Sequence, residues 1–171
     1  MVFVLLFGCA VDNALRGGAE LDTGAFDTRD TCGVEAGDTP IDVDALYAGD
    51  LPDGSEVPLD TVLLVDDRAG WDARFGRAAW AGEGLEPPDF ETHQVVVTTA
   101  SVDATCSFGV DSLAAWRDTD GVIHLLTTFV DRTGACDVAC DASAAAVAVV
   151  AIPRGSNNPE VCVGREDACE L

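Results

Sequence analysis

The stretch VIHLLTTFV (122–130) constrains this chain more than any other. In an extended strand successive side chains point to opposite faces. Ile123, Leu125, Thr127 and Phe129 then share one face, and Val122, His124, Leu126, Thr128 and Val130 share the other. Both faces are largely apolar, so the strand must be central and covered on each side. HQVVVTTASV (93–102) is rich in β-branched residues and predicts a second strand. AAAVAVVAIP (144–153) reads as an alanine-rich helix or as a strand. The order Val-Ala-Val-Val-Ala-Ile before Pro153 favours a strand that proline ends, with side chains small enough to sit against something bulky.

Shorter signals complete the folded part. DTVLLVDD is an apolar run bounded by acids and predicts a buried strand near 61–65. Trp71, Phe75 and Ala78 fall at helical spacing, with Asp66 or Asp67 as cap, and predict a helix near 68–79. Arg117-Asp118-Thr119-Asp120-Gly121 separates two strand-like runs, 107–116 and 122–130, as a hairpin turn. The expected fold class is α+β: a small antiparallel β-sheet or sandwich-like domain with one packed helix, stabilised by disulfides. Residues 57–155 make up that domain. Residues 10–56, rich in Gly, Asp and Thr without sustained period, read as an acidic linker, and 156–171 as a polar, cysteine-containing tail. A lone helix leaves one sheet face to be covered. Val122, Leu126 and Val130 on that face are a partner-binding patch if nothing closes over them.

Residues 1–9, MVFVLLFGC, form an apolar run too short to span a bilayer, which takes about 20 residues. Leu6-Phe7-Gly8-Cys9 resembles a bacterial lipobox, which makes 1–9 a secretory signal and Cys9 the lipidation site. Phe7 is bulkier than the usual occupant, and no Lys or Arg precedes Cys9. The alternative is a short buried strand with an ordinary core cysteine. Of seven cysteines, six remain once Cys9 is set aside: Cys32, Cys106, Cys136, Cys140, Cys162 and Cys169. An even remainder suits disulfide pairing in an oxidising compartment. The spacings lack C-x2-C pairs, so no metal and no cofactor is expected.

A net charge of -22 with no lysine argues against nucleic acid, because phosphate binding needs clustered basic residues. An acidic surface also repels anionic membranes, so membrane association would come from the lipid. No G-x-S-x-G, H-E-x-x-H or P-loop is present. His93 and His124 are the candidate general bases for work near neutral pH, and each reads as a packed or edge histidine. Trp71, Phe75, Trp80 and Trp116 are core anchors or, alternatively, a carbohydrate platform, with Trp80 the most exposed of the tryptophans.

The order of elements carries a resemblance. A strand leads to the helix with Trp71, then to Pro88-Asp89-Phe90 before a Val-rich strand, a hairpin with SFGV on its first arm, a cysteine loop, and a strand ending Ile152-Pro153. Over roughly 60–154 this resembles the C-terminal domain of PrcB-type proteins, accessory lipoproteins of a bacterial surface protease complex. Ser107-Phe108-Gly109 stands where that family has Gly-Gly-Tyr. The resemblance implies a small α+β or sandwich-like domain that assembles with or modulates a partner, and it carries over no catalytic residue. The expected function is therefore a surface-anchored, non-enzymatic binding or assembly lipoprotein of the bacterial envelope, outside the cytoplasm, touching a secreted protease. The alternative is a small secreted hydrolase with a carboxylate-based site.

Overall fold

The computed structural model describes residues 33–102, 108–131 and 144–167, and the backbone of 7–10. The strands in chain order are β1 (Phe7–Ala10), β2 (Thr39–Ile41), β3 (Asp44–Asp50), β4 (Val62–Val65), β5 (His93–Val102), β6 (Phe108–Arg117), β7 (Ile123–Asp131), β8 (Ala144–Pro153) and β9 (Glu160–Asp167). Helix α1 (Arg68–Phe75) and a 3₁₀ turn (Ala78–Trp80) lie between β4 and β5. Among the described residues the strands form two sheets, the sandwich-like alternative of the two expected and not the single sheet. The first is five-stranded in the order β1-β9-β7-β6-β2, and the second is four-stranded in the order β3-β8-β5-β4. Neighbours run antiparallel except β7 and β9, which are parallel. Parallel neighbours cannot be joined by a tight turn. Here the connection passes through β8 in the opposite sheet.

Alternation along β5 and β8 decides the layering. Val96, Ala100, Ala146, Ala148, Val150 and Ile152 point to the first sheet and share one core with Phe108, Ile123, Leu125, Phe129, Val161 and Val163. Their neighbours Val95, Val97, Val147, Val149 and Ala151 point the other way and pack with Trp71, Phe75 and Trp80. The second sheet is thus the middle layer, between the first sheet and α1. Each buried valine, leucine or isoleucine contributes about 1.5–3 kcal/mol relative to an exposed one. Small side chains at Ala146 and Ala148 leave room for the stacked rings of Phe108 and Phe129, whose centroids lie 5.8 Å apart.

Helix α1 begins where the Asp67 side chain accepts the N–H of Gly70 at 2.6 Å. It ends at Gly76, where a Cβ would sit 2.5 Å from the carbonyl oxygen of Asp72, so only glycine closes the turn without backbone movement. The predicted helix to 79 therefore stops at Phe75. The 3₁₀ turn that follows swings Trp80 back onto the second sheet. This corrects the expectation that Trp80 is exposed: it is 2 % exposed, edge-on to Phe75 at 5.0 Å and to Tyr47 at 5.6 Å.

Three strands lie where the sequence reads as linker or tail. β2 and β3 occupy part of 10–56, and β9 occupies part of 156–171. β2 and β3 are sheet edges whose residues are mostly exposed or half-buried, so they lack a clear apolar alternation. Pro40 is tolerated because β2 is an edge strand. β9 turns only Val161 and Val163 into the core between the sheets before its sequence becomes charged. The patch expected at Val122, Leu126 and Val130 is not open throughout. Val130 is 3 % exposed, and Leu126 packs against Cys162.

Trp71 and Trp80 both sit under the helix layer, at 3 % and 2 % exposure. Trp71→Ala and Trp80→Ala should each lower the unfolding free energy by about 3–5 kcal/mol, measured by urea denaturation. A Trp80→Ala protein as stable as the wild type would contradict this packing.

Candidate functional site

One polar constellation surrounds His124 on the face of the first sheet turned away from the second. The β6–β7 turn builds it. Gly121 adopts φ 84°, a conformation open to glycine, and lets the chain reverse so that the N–H of Asp118 donates to the carbonyl of Val122 at 3.0 Å. Oδ1 of Asp118 accepts the N–H groups of Asp120 and Val122 at 2.9 and 2.8 Å. Its Oδ2 lies 2.9 Å from Nε2 of His124. Across the parallel pairing, His124 is in register with Glu160, whose Oε2 lies 3.3 Å from Nδ1. Across the hairpin it is in register with Trp116, and the two rings stack at 5.5 Å and 4°.

This arrangement places a carboxylate beside each imidazole nitrogen and an indole on the ring face. An Asp–His pair oriented for nucleophilic catalysis would need a hydroxyl or thiol at the second nitrogen. Here that nitrogen is buried and its neighbour is the Glu160 carboxylate. The Asp118–His124 bond ties the turn to β7, and Glu160 of β9 lies alongside it. The hydrogen bond from His124 holds the Asp118 carboxyl below its ordinary value of 3.8; partial burial opposes this, and the N–H groups of Val122 and Asp120 add to it.

A second polar clasp joins the two sheets. Asp60, a non-glycine residue at φ 51°, accepts the N–H of Ser101 at 2.9 Å and the Ser101 hydroxyl at 2.5 Å. From β9, Arg165 donates to Asp60 Oδ1 at 2.6 Å and to the Ser101 carbonyl at 3.0 Å. Burial pushes the Asp60 carboxyl up, but these donors outweigh it and hold it below its usual range. Beside this clasp, the Thr99 hydroxyl donates to the carbonyl of Pro58 at 2.7 Å.

The predicted residues are distributed as follows. Trp71, Phe75 and Trp80 come together in one aromatic cluster, joined by Tyr47 and Phe90. Trp116 lies on the other side of the molecule, beside His124. At 2–3 % exposure the three tryptophans do not offer a carbohydrate platform. His93 has Nδ1 2.9 Å from the Thr92 hydroxyl. Cys9 lies in β1 opposite Cys162 of β9, so that Phe7–Ala10 is a strand, as the alternative reading of this stretch has it. Cys32, Cys106, Cys136, Cys140 and Cys169 fall outside the described residues. Among the described residues no three His, Cys, Asp or Glu side chains converge as for a metal ion, and no helix is long and apolar enough to cross a membrane.

Sequence reasoning missed a crevice of about 200 Å³ lined by Glu56, Pro58, Leu63, Ala73, Arg74 and Arg77. The one available signal was the concentration of arginines: Arg68, Arg74 and Arg77 fall within ten residues of a chain that holds only nine basic residues. Compared with known protein families, curated proteins and solved structures, the chain matches none.

The Asp118 contribution has a definite sign. A carboxyl lowered in the folded state adds stability above its unfolded value and loses it as pH falls through the folded one. Asp118→Asn should therefore be less stable than the wild type near neutral pH. The gap should narrow as pH drops below 3.8. Urea denaturation across that range checks this, and a gap that widens toward acid would contradict that bond.

Proposed function

We propose that this chain is a surface-anchored binding or assembly lipoprotein without catalytic activity, held in the bacterial envelope by a lipid on Cys9 and modulating a secreted protease. The observation that carries this reading is the structural use of its candidate chemical side chains. His124 is locked between Asp118, Glu160 and Trp116, and the tryptophans fill packing layers. A fold that commits these groups to packing works through its surface. The resemblance of 60–154 to PrcB-type domains supports a protease as the partner.

The string Leu6-Phe7-Gly8-Cys9 supports the anchor, and polar, turn-rich sequence follows it. A disulfide framework among the remaining cysteines belongs to the same reading. Cys162, 3 % exposed in β9, is the described member of that framework, and its pairing would suit an oxidising compartment. Two acyl chains on one cysteine suffice for stable anchoring.

The test is fractionation with mass spectrometry. Wild-type chain should partition with membranes and carry a lipid-modified Cys9, and Cys9→Ser should be released. Affinity capture on the anchored protein should recover casein-degrading activity from the envelope fraction. Peptide mapping that finds unmodified Cys9 linked to Cys162, its register partner, would overturn the anchor. A capture free of proteolytic activity would overturn the assembly role.

A further inference from the structure

We propose that the crevice between residues 56–58 and the C-terminal end of α1 is a carboxylate-binding site, taking one acidic side chain or chain-terminal carboxylate of a protein partner. The proposal rests on the binding-module reading for the partner's existence alone; the site itself stands on geometry. Its floor is apolar: Leu63 is 2 % exposed, and Pro58 and Ala73 flank it. Arg74 and Arg77 line it together with Glu56. At about 200 Å³ it suits a single side chain or terminal residue and falls short of the roughly 300–1,000 Å³ of a cofactor pocket.

The two guanidinium groups are not equally engaged. Arg77 donates from Nε to the carbonyl of Ala73 at 2.7 Å and pairs through Nη1 with Glu56. Arg74 makes a marginal bond, Nη1 to the Gly70 carbonyl at 3.4 Å. A guanidinium carries five N–H donors in a planar fork that matches a carboxylate. Arg74 therefore keeps a fork available at the crevice. Glu56 already shows what the crevice accepts, because a carboxylate rests against Arg77. That resident is weakly held: its side chain is 66 % exposed, and exposed ion pairs are worth little.

The helix dipole alone favours arginine near a helix C-terminus. It accounts for the bond from Arg77 to Ala73. It does not account for an apolar-floored crevice lined by two guanidinium groups. With 31 acidic residues against nine basic, the surface as a whole repels anions. Saturable carboxylate binding at this place would come from the local geometry.

The test is a nuclear magnetic resonance titration of the full chain with two peptides. Acetyl-Gly-Glu-Gly-amide carries only a side-chain carboxylate, and acetyl-Gly-Gly-Leu only a terminal one. Saturable shifts at Leu63, Ala73, Arg74 and Arg77 are expected with at least one, and the tighter peptide identifies the source. Arg74→Gln should weaken binding by about tenfold. Glu56→Gln should strengthen it, because it removes the competing carboxylate, an effect that a purely structural Glu56 would not produce. Absence of saturable shifts with both peptides would overturn the proposal. So would unchanged binding in Arg74→Gln, or equal binding of inorganic phosphate or of acetyl-Gly-Gln-Gly-amide. Failure to capture a protease with these shifts intact would remove the partner assignment and leave the site.

Discussion

Burial of β5 and β8 on both faces is the interaction on which the rest of this structure depends. Val95, Val97, Val147 and Val149 are 0 % exposed on one face, and Ala100, Ala146, Ala148, Val150 and Ile152 are 0 % exposed on the other. The two strands pair over ten positions, from His93–Pro153 to Val102–Ala144. The first sheet therefore has a surface to pack on, and α1 has another. Without this middle layer, the helix, at eight residues, would be too short to persist in water. Its tryptophan and phenylalanine would also have nothing to cover.

Polar groups then fix how the outer layers sit. Asp60, Ser101 and Arg165 tie β9 to the end of β5, so the two sheets are joined by charge-assisted bonds as well as by apolar contact. His124 bonds Asp118 within the β6–β7 hairpin and sits 3.3 Å from Glu160 of β9. Both clasps involve β9, which leaves the second sheet's neighbourhood and returns parallel to β7. Such a long-range return needs specific partners, because local sequence does not enforce it. The crevice at Arg74 and Arg77 is different in kind. It lies outside both clasps, at the end of the helix layer, and the core of the fold does not require its charge.

Much of the frame was legible in the residues, and the reasons are local. VIHLLTTFV, HQVVVTTASV and AAAVAVVAIP carry enough β-branched and small apolar residues to declare buried strands, and Trp71 and Phe75 declare the helix by spacing. The turn at Asp118–Gly121 announced the hairpin. One sheet and a sandwich both stayed open, and which strands share a sheet was not legible, because pairing between distant strands leaves no local period. Edge strands β2 and β3 bury too little to show an alternation. Trp80 misled because small, flexible neighbours suggest exposure, whereas the 3₁₀ turn is set by the helix ending at Gly76. His124 was read as a packed or edge histidine, and it is buried; its neighbour Glu160 lay in a stretch that looked like tail. Beyond the run of arginines nothing local marked the crevice, because Glu56 and Arg77 meet only after α1 folds back over the sheet.

The central claim is that a two-sided middle sheet holds the other layers in place. Native-state hydrogen exchange tests it most directly, since protection reports the opening free energy of each element. The account predicts that amides of β5 and β8 exchange only through global unfolding. Those of α1 and β2 should exchange through smaller openings that leave β5 and β8 protected. Exchange of β5 and β8 as fast as that of β2 would contradict it.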